Sequence, residues 1–346
     1  GDCSVKSNCV SIEPLETSLG RKRQINQSSC NKDYSCADGF CPSFVAIEGG
    51  ALRKKPTGTG PECDPASWPM PLDPELPKLK TTYAILVNGI GGTGVLTIGN
   101  ILGMAAHLQG LHCSVMDMAG LAQKGGAVWS HVRFASSAEF VFSPKIPDAS
   151  ADTLIGGDLV VSAHPDSISR LKPNCLVVVN KNTSPTSDFQ QDRDFVVPEQ
   201  TLWGTIKHAC GEKNVTKIPA HEIAVKFCGD SVFANMILLG AAWQAGQVPL
   251  SLKALIRAIE LNGQAVDANL RAFRIGRYCV TSPERLTTKQ STSVIQWHSQ
   301  IDSENIEQLV KDRKERLVAY QHLDYAKQYE RFLNEVRVFS DRKSVV

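Results

Sequence analysis

The sequence lacks the features that mark membrane proteins and nucleic-acid-binding proteins. Its 346 residues carry a formal net charge of +2 and contain no long block of like charges, so charge alone predicts neither nucleic acid nor a membrane surface as a partner. The longest apolar stretch, residues 232–242, is shorter than the roughly 20 residues that a membrane span needs. The N-terminus has no apolar core of a secretory signal, which predicts a cytoplasmic protein.

The sequence also lacks the C-x2-C pairs of zinc knuckles and the complete C-x2-C-x2-C-x3-C run of bacterial ferredoxins. It nevertheless contains 11 cysteines, several of them close together near the N-terminus. In a reducing compartment such a cluster is more typical of a metal site than of a disulfide framework. Free buried thiols are the alternative, but the polar neighbours of these cysteines argue against it. The predicted metal ligands are Cys3, Cys9, Cys30, Cys36 and Cys41.

The other cysteines have a different setting. Cys63 lies in a segment rich in Pro and Gly, and the rest lie in apolar patterns, where we expect them to pack in the core. These packing cysteines are Cys113, Cys175, Cys210, Cys228 and Cys279.

Composition divides the chain into segments. Residues 1–50 are polar and rich in cysteine, and residues 51–80 are dense in Pro and Gly, which predicts a linker. Residues 81–280 carry the strand and helix patterns. Residues 281–339 begin polar and continue into an amphipathic helix predicted over 306–337, which would start a further helical domain. Residues 340–346 fit no pattern and are interpreted as an artefactual tail.

The patterns of residues 81–280 predict an α/β domain. Near-continuous apolar strands that alternate with helices are typical of a mainly parallel sheet buried on both faces, in a doubly wound Rossmann-like fold. Residues 230–279 are predicted to form helices that pack on the sheet, one of them ending at Gly263. The predicted strands are 83–87, 111–118, 128–134, 159–163 and 176–179, with a helix over 92–109.

A glycine-rich loop joins the first strand to the first helix. Gly89-x-Gly91-x-x-Gly94 has the spacing of a dinucleotide-binding loop, in which backbone N–H groups and a helix N-terminus face a phosphate. Asp117, at the end of the next strand, lies near the distance expected for a ribose-binding acid. The glycines do not identify the ligand, because coenzyme A or thiamine diphosphate would use the same donors. A tight turn required only for packing is the alternative. The predicted anion-binding residues here are Gly89, Gly91, Gly92, Thr93 and Gly94.

A second glycine turn follows Asp117. Lys124 stands beside Gly125 and Gly126, and Arg133 lies on the strand that follows. We predict a second anion contact or a contact with a partner domain, with an ordinary solvated loop as the alternative. No residue is a convincing general base, because a lone His131 in a strand is more often structural.

Several strings of residues together resemble one family of enzymes. They are GDCSVKSNC, CNKDYSCADGFCPSF, NGIGGTGVLTIGNILGMAAHLQG, DMAGLAQKGGAVWSHVRF and IELNGQAVDANLRAFRIGR. In this order they are similar to the C-terminal part of the fused bacterial indolepyruvate ferredoxin oxidoreductases. The resemblance covers about residues 1–337.

This resemblance implies a function. Enzymes of this kind, the 2-oxoacid:ferredoxin oxidoreductases, use thiamine diphosphate with Mg to decarboxylate an aryl 2-oxoacid, pass electrons through 4Fe-4S clusters to ferredoxin, and release an acyl-CoA. Residues 1–50 would correspond to the ferredoxin-like segment and residues 81–280 to the gamma-type domain. The resemblance further implies contact with thiamine-binding domains and a homo-oligomer.

The chain departs from the family pattern in two ways. The Gly-Asp-Gly motif of the thiamine site is absent, so the resemblance implies that this domain precedes Gly1 and that the chain alone is inactive. In the family a further C-x2-C precedes GDC, so that Cys3 would complete a regular ligand run. The second cysteine run is irregular, which leaves the number of clusters open.

Two other hypotheses remain at this point. An NAD(P)-dependent dehydrogenase would use the glycine loop, with Asp117 on the ribose, and would contain no iron. A docking module without enzymatic activity would use its cysteines to bind a structural metal.

Overall fold

The computed structural model describes residues 11–17, 20–26, 30, 32–34, 36, 65–79, 81–120, 126–141, 143–184, 192, 195–286 and 306–343. These residues belong to two compact units. One lies within Gly1–Pro14 and Arg23–Lys289, and the other lies within Leu15–Lys22 and Gln290–Val346. Each unit is described by itself.

The strands form a two-stranded sheet and a six-stranded sheet. The two-stranded sheet consists of β1 (Ile12–Thr17) and β2 (Gly20–Ile25). The strands of the large sheet are β3 (Thr82–Ile90), β4 (His112–Ala119), β5 (Ala127–Ala135), β6 (Ala151–Gly156), β7 (Leu171–Asn180) and β8 (Val215–Ile218). Their order across the sheet is β4-β5-β3-β6-β7-β8.

Helices connect the strands and continue after the sheet. The α-helices of the described residues are α1 (Val95–Leu108), α2 (Leu159–Ser162), α3 (Pro165–Ile168), α4 (Glu199–Cys210), α5 (Ala220–Cys228), α6 (Ala234–Gln244), α7 (Leu252–Asn262), α8 (Val266–Thr281), α9 (Ile306–Tyr320) and α10 (Leu323–Lys343). None of the helices in this part of the chain is long and apolar enough to cross a membrane.

The predicted α/β fold with a mainly parallel sheet is confirmed, with one addition. Strands β3, β6, β7 and β8 are parallel neighbours, whereas β5 runs antiparallel to both β3 and β4. Strand β5 therefore separates β3 from β4. In a doubly wound nucleotide-binding sheet, the strands on either side of the first helix are neighbours. Because β5 lies between β3 and β4, Asp117 on β4 is two strands away from β3.

Both faces of the sheet are buried, as its apolar strands require. On β3, Ile85 and Val87 face one cluster of helices that includes α1, α6 and α8. Leu86, on the opposite side of the same strand, faces a second cluster that includes α4. Alternate strand residues point to opposite faces, so one short run of apolar residues supplies both cores.

Helices α6 and α8 pack at very close range because two glycines face the partner backbone. A Cβ on Gly240 would lie 2.0 Å from the carbonyl oxygen of Phe273, and a Cβ on Gly276 would lie 2.1 Å from that of Ile237. Helix α6 is buried all round, which confirms the prediction of a packed helix in this region. Helix α7 ends at Gly263 with φ 70°, which confirms the predicted C-cap.

The segment predicted as a linker is in part a packed element. Trp68 is buried, with its ring 4.9 Å from that of Tyr278 and 5.9 Å from that of Phe227. Arg277 donates from Nη2 to the carbonyl of Pro71 at 2.7 Å and to Asp73 at 2.8 Å. Residues 65–79 therefore belong to the α/β unit, because backbone carbonyls of this proline-rich segment accept from buried side chains of α8. Residues 51–64 and 80 lie outside the described residues.

The strand predicted at 159–163 is wrong, since these residues form helix α2. Asp158 caps this helix, accepting from the amides of Val160 at 2.8 Å and Val161 at 3.1 Å. A capping aspartate satisfies N–H groups that would otherwise pair in a strand. The sheet strand in this region is β6, which ends two residues before the cap.

The single helix predicted over 306–337 is also wrong, because the chain forms the two helices α9 and α10. The break lies at Gln321 and His322, and His322 Nδ1 accepts from the amide of Tyr325 at 3.2 Å. At the start of α10 the His322 side chain thus supplies a hydrogen-bond acceptor for a backbone amide where the helix is interrupted. An ion pair of 2.7 Å between Lys314 and Glu330 links the two helices.

Candidate functional site

The glycine loop lies at the carboxyl end of β3 and leads into α1. Gly92 has φ 91° and Gly94 has φ 83°, a left-handed conformation that favours glycine. Gly94 is the N-cap of α1 and provides no side-chain acceptor for the first helical amides. These amides therefore remain available to an external acceptor, and the helix dipole adds positive potential there. Gly92 and Thr93 are exposed, so a ligand can reach the loop.

Contacts within the protein fix the shape of this loop. Thr93 Oγ1 donates to the carbonyl of Ile90 at 2.6 Å, which closes the turn. Asn235, near the start of α6, donates from Nδ2 to the carbonyl of Gly94 at 3.5 Å. A Cβ on Gly94 would lie 2.0 Å from that same Nδ2. The N-terminal ends of α1 and α6 thus meet at Gly94, and a larger residue there would separate them.

The second glycine turn contacts the first directly. The amide of Gly91 donates to the carbonyl of Gly126 at 2.8 Å. This bond continues the pairing of β3 with β5, in which Gly89 is opposite Val128. The structure therefore brings Gly126 to the predicted anion-binding loop. Lys124 and Gly125 lie outside the described residues.

The loop after β6 forms the next wall of the site. The amide of Gly157 donates to the carbonyl of Asn88 at 2.7 Å. A Cβ on Gly89 would lie 3.4 Å from the Gly157 Cα and 3.0 Å from Val95. Glycine at positions 89 and 157 therefore lets the two loops approach closely at the edge of the sheet where parallel strands end, which is the usual ligand edge of such sheets.

Asn180, the last residue of β7, connects three segments at this edge. Its Nδ2 donates to the carbonyl of Gly157 at 3.1 Å, and its Oδ1 accepts from the amides of Asn182 at 3.3 Å and Ala220 at 3.1 Å. The side chain is 6% exposed. Asn180 thus holds the loops after β6, β7 and β8 together.

Asp158 does the same for the loops after β6 and β7. Besides capping α2, it accepts from the amide of Ser184 at 3.1 Å. Burial raises the pKa of this carboxyl group, although its three backbone hydrogen bonds act in the opposite direction. Because the Asp158 carboxylate accepts from three backbone amides, its role is to position the loops.

Sequence analysis missed Asp158, Asn180 and Asn235. The first two follow buried apolar strands directly, in LIGGD and VVVN. Polar residues at the carboxyl ends of predicted parallel strands are a usable signal, since those ends meet at one edge of the sheet. The role of Asn235 could not be predicted, because it lies within an apolar helix and the sequence does not show which element that helix contacts.

Asp117 lies on the edge strand β4. It pairs with Ser130 on β5, which in turn pairs with Val87 on β3. Asp117 is therefore two strands away from the strand of the glycine loop, about 10 Å across the sheet. The neighbouring-strand geometry that a ribose-binding acid needs is not formed.

Arg133 lies away from the glycine loop. Arg133 pairs with Ala84 on β3, whereas Gly89 of the loop pairs with Val128 on β5. Arg133 is therefore five residues along β5 from the position opposite Gly89. Five strand residues correspond to about 17 Å. Its Nη1 donates to the carbonyl of Ser143 at 2.5 Å, near the opposite end of the sheet. The prediction that Arg133 adds charge at the loop is wrong, because the intervening length of strand is too great.

His131 is structural, as its setting in a strand predicts. It is 3% exposed, and its Nδ1 accepts from the amide of Ile146 at 3.2 Å. Burial, together with the charges of Arg170 and Lys145, lowers the pKa of His131 to about 4. The imidazole is thus neutral at pH 7 and fully used as an acceptor.

Of the predicted metal ligands, only Cys30 and Cys36 lie in the described residues. Cys30 Sγ accepts from the amide of Lys32 at 3.3 Å. Cys36 is half-buried against Ile12, together with Phe195. The described residues contain no group of three or more His, Cys, Asp or Glu side chains that could hold a metal ion. Cys3, Cys9 and Cys41 lie outside them, so the predicted ligand set stays a prediction.

The α/β domain matches a known family. A family model described as pyruvate ferredoxin/flavodoxin oxidoreductase matches residues 84–279, which is more than half of the chain. The indolepyruvate oxidoreductase subunit IorB of Thermococcus kodakarensis is 30% identical over 197 residues, covering 56% of this chain and 94% of the relative. The subunit of the same name from Methanothermobacter thermautotrophicus is 29% identical over 196 residues, covering 56% and 95%.

Two solved structures are similar to part of the chain. A 2-oxoglutarate:ferredoxin oxidoreductase from Magnetococcus marinus matches with a TM-score of 0.44 and 20% identity, covering 58% of this chain and 31% of that chain. A pyruvate oxidoreductase subunit from Thermotoga maritima matches with a TM-score of 0.42 and 19% identity, covering 57% and 96%. On the extent of the family match, the chain belongs to the pyruvate ferredoxin/flavodoxin oxidoreductase family.

Proposed function

We propose that this chain supplies the gamma-type domain of a thiamine-diphosphate-dependent 2-oxoacid:ferredoxin oxidoreductase that acts on indolepyruvate or a related aryl 2-oxoacid. The family match supports the reaction class, and the names of the relatives in two organisms support the substrate. The reaction is oxidative decarboxylation to an acyl-CoA, with electrons passed through 4Fe-4S clusters to ferredoxin. Thiamine diphosphate with Mg, bound by partner domains, supplies the electron sink for decarboxylation.

The single observation that carries the role of this domain is the paired glycine turn. The left-handed Gly92 and Gly94, the uncapped start of α1 and the bond from Gly91 to Gly126 form a backbone cradle open to solvent. Such a cradle fits a phosphate, because the first amides of α1 and the positive end of its dipole face it without a capping side chain. We assign the cradle to the phosphates of coenzyme A. Lys124 and Gly125 would complete it from the second turn.

The residues around the cradle act by positioning. Asn180 and Asp158 hold the loops next to the cradle through backbone contacts, so this wall of the site is organised before a ligand arrives. A site organised in advance loses less entropy when it binds its ligand. Thr93 closes the turn through Ile90, so its hydroxyl is not free to bind the ligand as a donor.

Cys30 and Cys36, with Cys3, Cys9 and Cys41, are the proposed ligands of iron. The amide of Lys32 donates to the Cys30 sulfur, and hydrogen bonds to cysteine sulfur are one of the features that set cluster potentials. Ferredoxin is the proposed electron acceptor, and the thiamine-binding domains and a second copy of the assembly are the proposed partners.

Titration with coenzyme A tests the proposed role of the cradle. Isothermal calorimetry on the chain would compare coenzyme A, pantetheine and NADH. We expect coenzyme A to bind with an affinity that falls as salt rises, and pantetheine, which lacks phosphate, to bind at least tenfold more weakly. Lys124→Gln should weaken binding of coenzyme A. Lys213→Gln is the matched control. Lys213 lies just before β8, and therefore at the end of the sheet where the parallel strands begin, away from the glycine loop. Tight binding of NADH without binding of coenzyme A would instead support a dehydrogenase.

Analysis of iron tests the second part of the proposal. Anaerobic reconstitution should give iron and acid-labile sulfide in equal amounts, with an EPR signal that appears on reduction with dithionite. Cys30→Ser and Cys36→Ser should lower the iron content, whereas Cys113→Ser, in the core, should not. Metal without sulfide and without a reducible signal would favour a structural metal in a docking module.

A further inference from the structure

Strand β4 forms one edge of the large sheet. It is the first strand in the order across the sheet, and among the described residues it pairs only with β5. This pairing is regular from His112, opposite Ala135, to Ala119, opposite Val128, without a bulge. The outward N–H and C=O groups of β4 therefore form a straight row that has no strand partner in this part of the chain.

The two edges of the sheet differ in their protection against another strand. The strand at the opposite edge, β8, has only four residues, and one of them is the exposed Lys217. Short edge strands and lysine side chains are common means of preventing strand pairing. Strand β4 has eight residues, HCSVMDMA, with no Lys, Arg, Pro or Gly among them. The sequence of β4 thus permits another strand to pair with it.

Helix α1 lies over the boundary between β4 and β5. A Cβ on Gly99 would lie 2.2 Å from Ser130 Oγ on β5 and 3.4 Å from Val115 on β4, and a Cβ on Gly103 would lie 2.9 Å from Val115. The axis of α1 is therefore about 5 Å from the line midway between β4 and an added strand. A two-fold axis on that line would place a second α1 about 10 Å away, within the usual range for packed helices.

One side of α1 is available for such packing. Leu96, Asn100 and His107 are exposed, and they lie seven, three and four positions from Gly103, so they share the side of α1 next to β4. Leu96 is 40% exposed. Helix α1 contains no Lys, Arg, Asp or Glu. Contact between two copies of this side would therefore bury apolar surface without burying a permanently charged side chain.

We propose that β4 pairs with β4 of a second copy of the chain, antiparallel about a two-fold axis at Val115, so that the two sheets join into one. An axis normal to the sheet keeps each face on its own side, so a residue can only be opposite one of the same parity. Two such registers pair nearly the whole strand, with Val115 or Met116 on the axis. The two Asp117 carboxylates would be about 8 Å apart with Met116 on the axis, but about 14 Å apart with Val115 there. Repulsion between like charges selects Val115.

The selected register is also complementary in charge. It sets Asp117 opposite Cys113 of the second copy, on the face that α1 covers. Cys113 Sγ lies 3.9 Å from the position of a Cβ on Gly103, and His107 is one helical turn further along α1. The only acidic side chain of β4 thus approaches the imidazole of His107 in the other copy. This inference does not depend on the proposed function, because it involves no cofactor and the antiparallel pairing keeps the two glycine loops at opposite ends of the strands.

Sedimentation equilibrium of the full chain tests the pairing. We expect a reversible dimer. Asp117→Lys should raise its dissociation constant by about tenfold or more, because it places a cation against the edge strand of the other copy. Asp267→Lys is the control, since it makes the same change of charge at the exposed start of α8, and it should leave the dissociation constant unchanged. A chain that stays monomeric at every concentration, or a dimer that Asp117→Lys does not weaken, would overturn the proposal.

Oxidative cross-linking tests the register. With Val115 on the axis, His112 is opposite Met118 of the second copy, so the double variant His112→Cys/Met118→Cys should form a disulfide between chains. The double variant His112→Cys/Met116→Cys is shifted by two residues and should cross-link far less. Peptide mapping identifies the introduced thiols among the natural ones. If circular dichroism shows that the first variant does not fold, Ser114→Cys/Met116→Cys tests the same register. Efficient cross-linking only in the shifted variant would contradict the two-fold axis at Val115.

Discussion

The amide of Gly91 donates to the carbonyl of Gly126 at 2.8 Å. This bond joins two glycine turns that are 35 residues apart in the sequence, each predicted separately to contact an anion. The antiparallel strand β5 brings them together, because it runs back from the second turn along β3. The same strand moves Asp117 away from the loop, so one topological feature favours a phosphate cradle and disfavours the contact with ribose.

The first prediction concerns Gly94. Gly94→Ala should lower the free energy of unfolding by about 3 kcal/mol, because the added Cβ meets Asn235 Nδ2 and the backbone is left-handed. Gly92→Ala is the control: it shares the positive φ, but its Cβ has no atom within 4 Å, so we expect about 1 kcal/mol. Urea denaturation of both variants measures the difference. Adding Asn235→Ala to Gly94→Ala should recover part of the loss, and equal costs at the two glycines would contradict the close contact.

The second prediction concerns Asn180. Asn180→Ala leaves the Gly157 carbonyl and the amides of Asn182 and Ala220 without this partner. We expect a loss of about 3 kcal/mol in the free energy of unfolding, since buried polar groups become unsatisfied. Asn180→Asp keeps both acceptor bonds but sets a carboxylate oxygen against the Gly157 carbonyl, so its cost should fall as the pH drops and the carboxyl group takes up a proton. Denaturant titration compares the two, and an unchanged midpoint for Asn180→Ala would exclude the positioning role.

The third prediction concerns pH. The pKa of His131 is lowered to about 4 in the folded chain, against about 6.5 in the unfolded chain. Between these values the unfolded chain binds more protons, so stability from this residue is complete above pH 6.5 and falls as pH drops towards 4. The loss is at most about 3 kcal/mol.

A matched variant isolates this contribution. His131→Asn retains an acceptor for the amide of Ile146 but does not titrate in this range. Urea midpoints measured from pH 4 to 7.5 should therefore vary less in the variant than in the parent chain. Parallel pH profiles would show that other groups cause the dependence.

The fourth prediction compares two helical glycines. Gly240→Ala should destabilise the chain by about 3 kcal/mol, because its Cβ would meet the backbone carbonyl of Phe273 on α8. Gly204→Ala, on the exposed side of α4 with no atom within 4 Å of the added Cβ, should stabilise it by about 1 kcal/mol. Thermal unfolding of the two variants should thus shift in opposite directions. A stabilising effect at Gly240 would rule out the close approach of α6 and α8.

Local patterns in the sequence were sufficient for several elements. The glycine loop, helix α1, the buried helix α6 and the C-cap at Gly263 follow from residue order alone, because glycine conformation and apolar periodicity act over a few residues. The strand predicted at 159–163 was wrong, because Val and Leu occur both in strands and in buried helices. The residue that determines the helix here is its N-cap, Asp158. The family resemblance could likewise be recognised from short strings of residues.

The tertiary structure decided which of these elements meet. The sequence by itself determined an α/β domain with a glycine-rich loop between a strand and a helix, since these depend on local conformation and on burial of apolar strands. It did not determine that β5 lies between β3 and β4, because strand order depends on pairing between distant segments. That pairing sets Gly126 against Gly91, removes Arg133 and Asp117 from the loop, and lets Asn180 connect three loops.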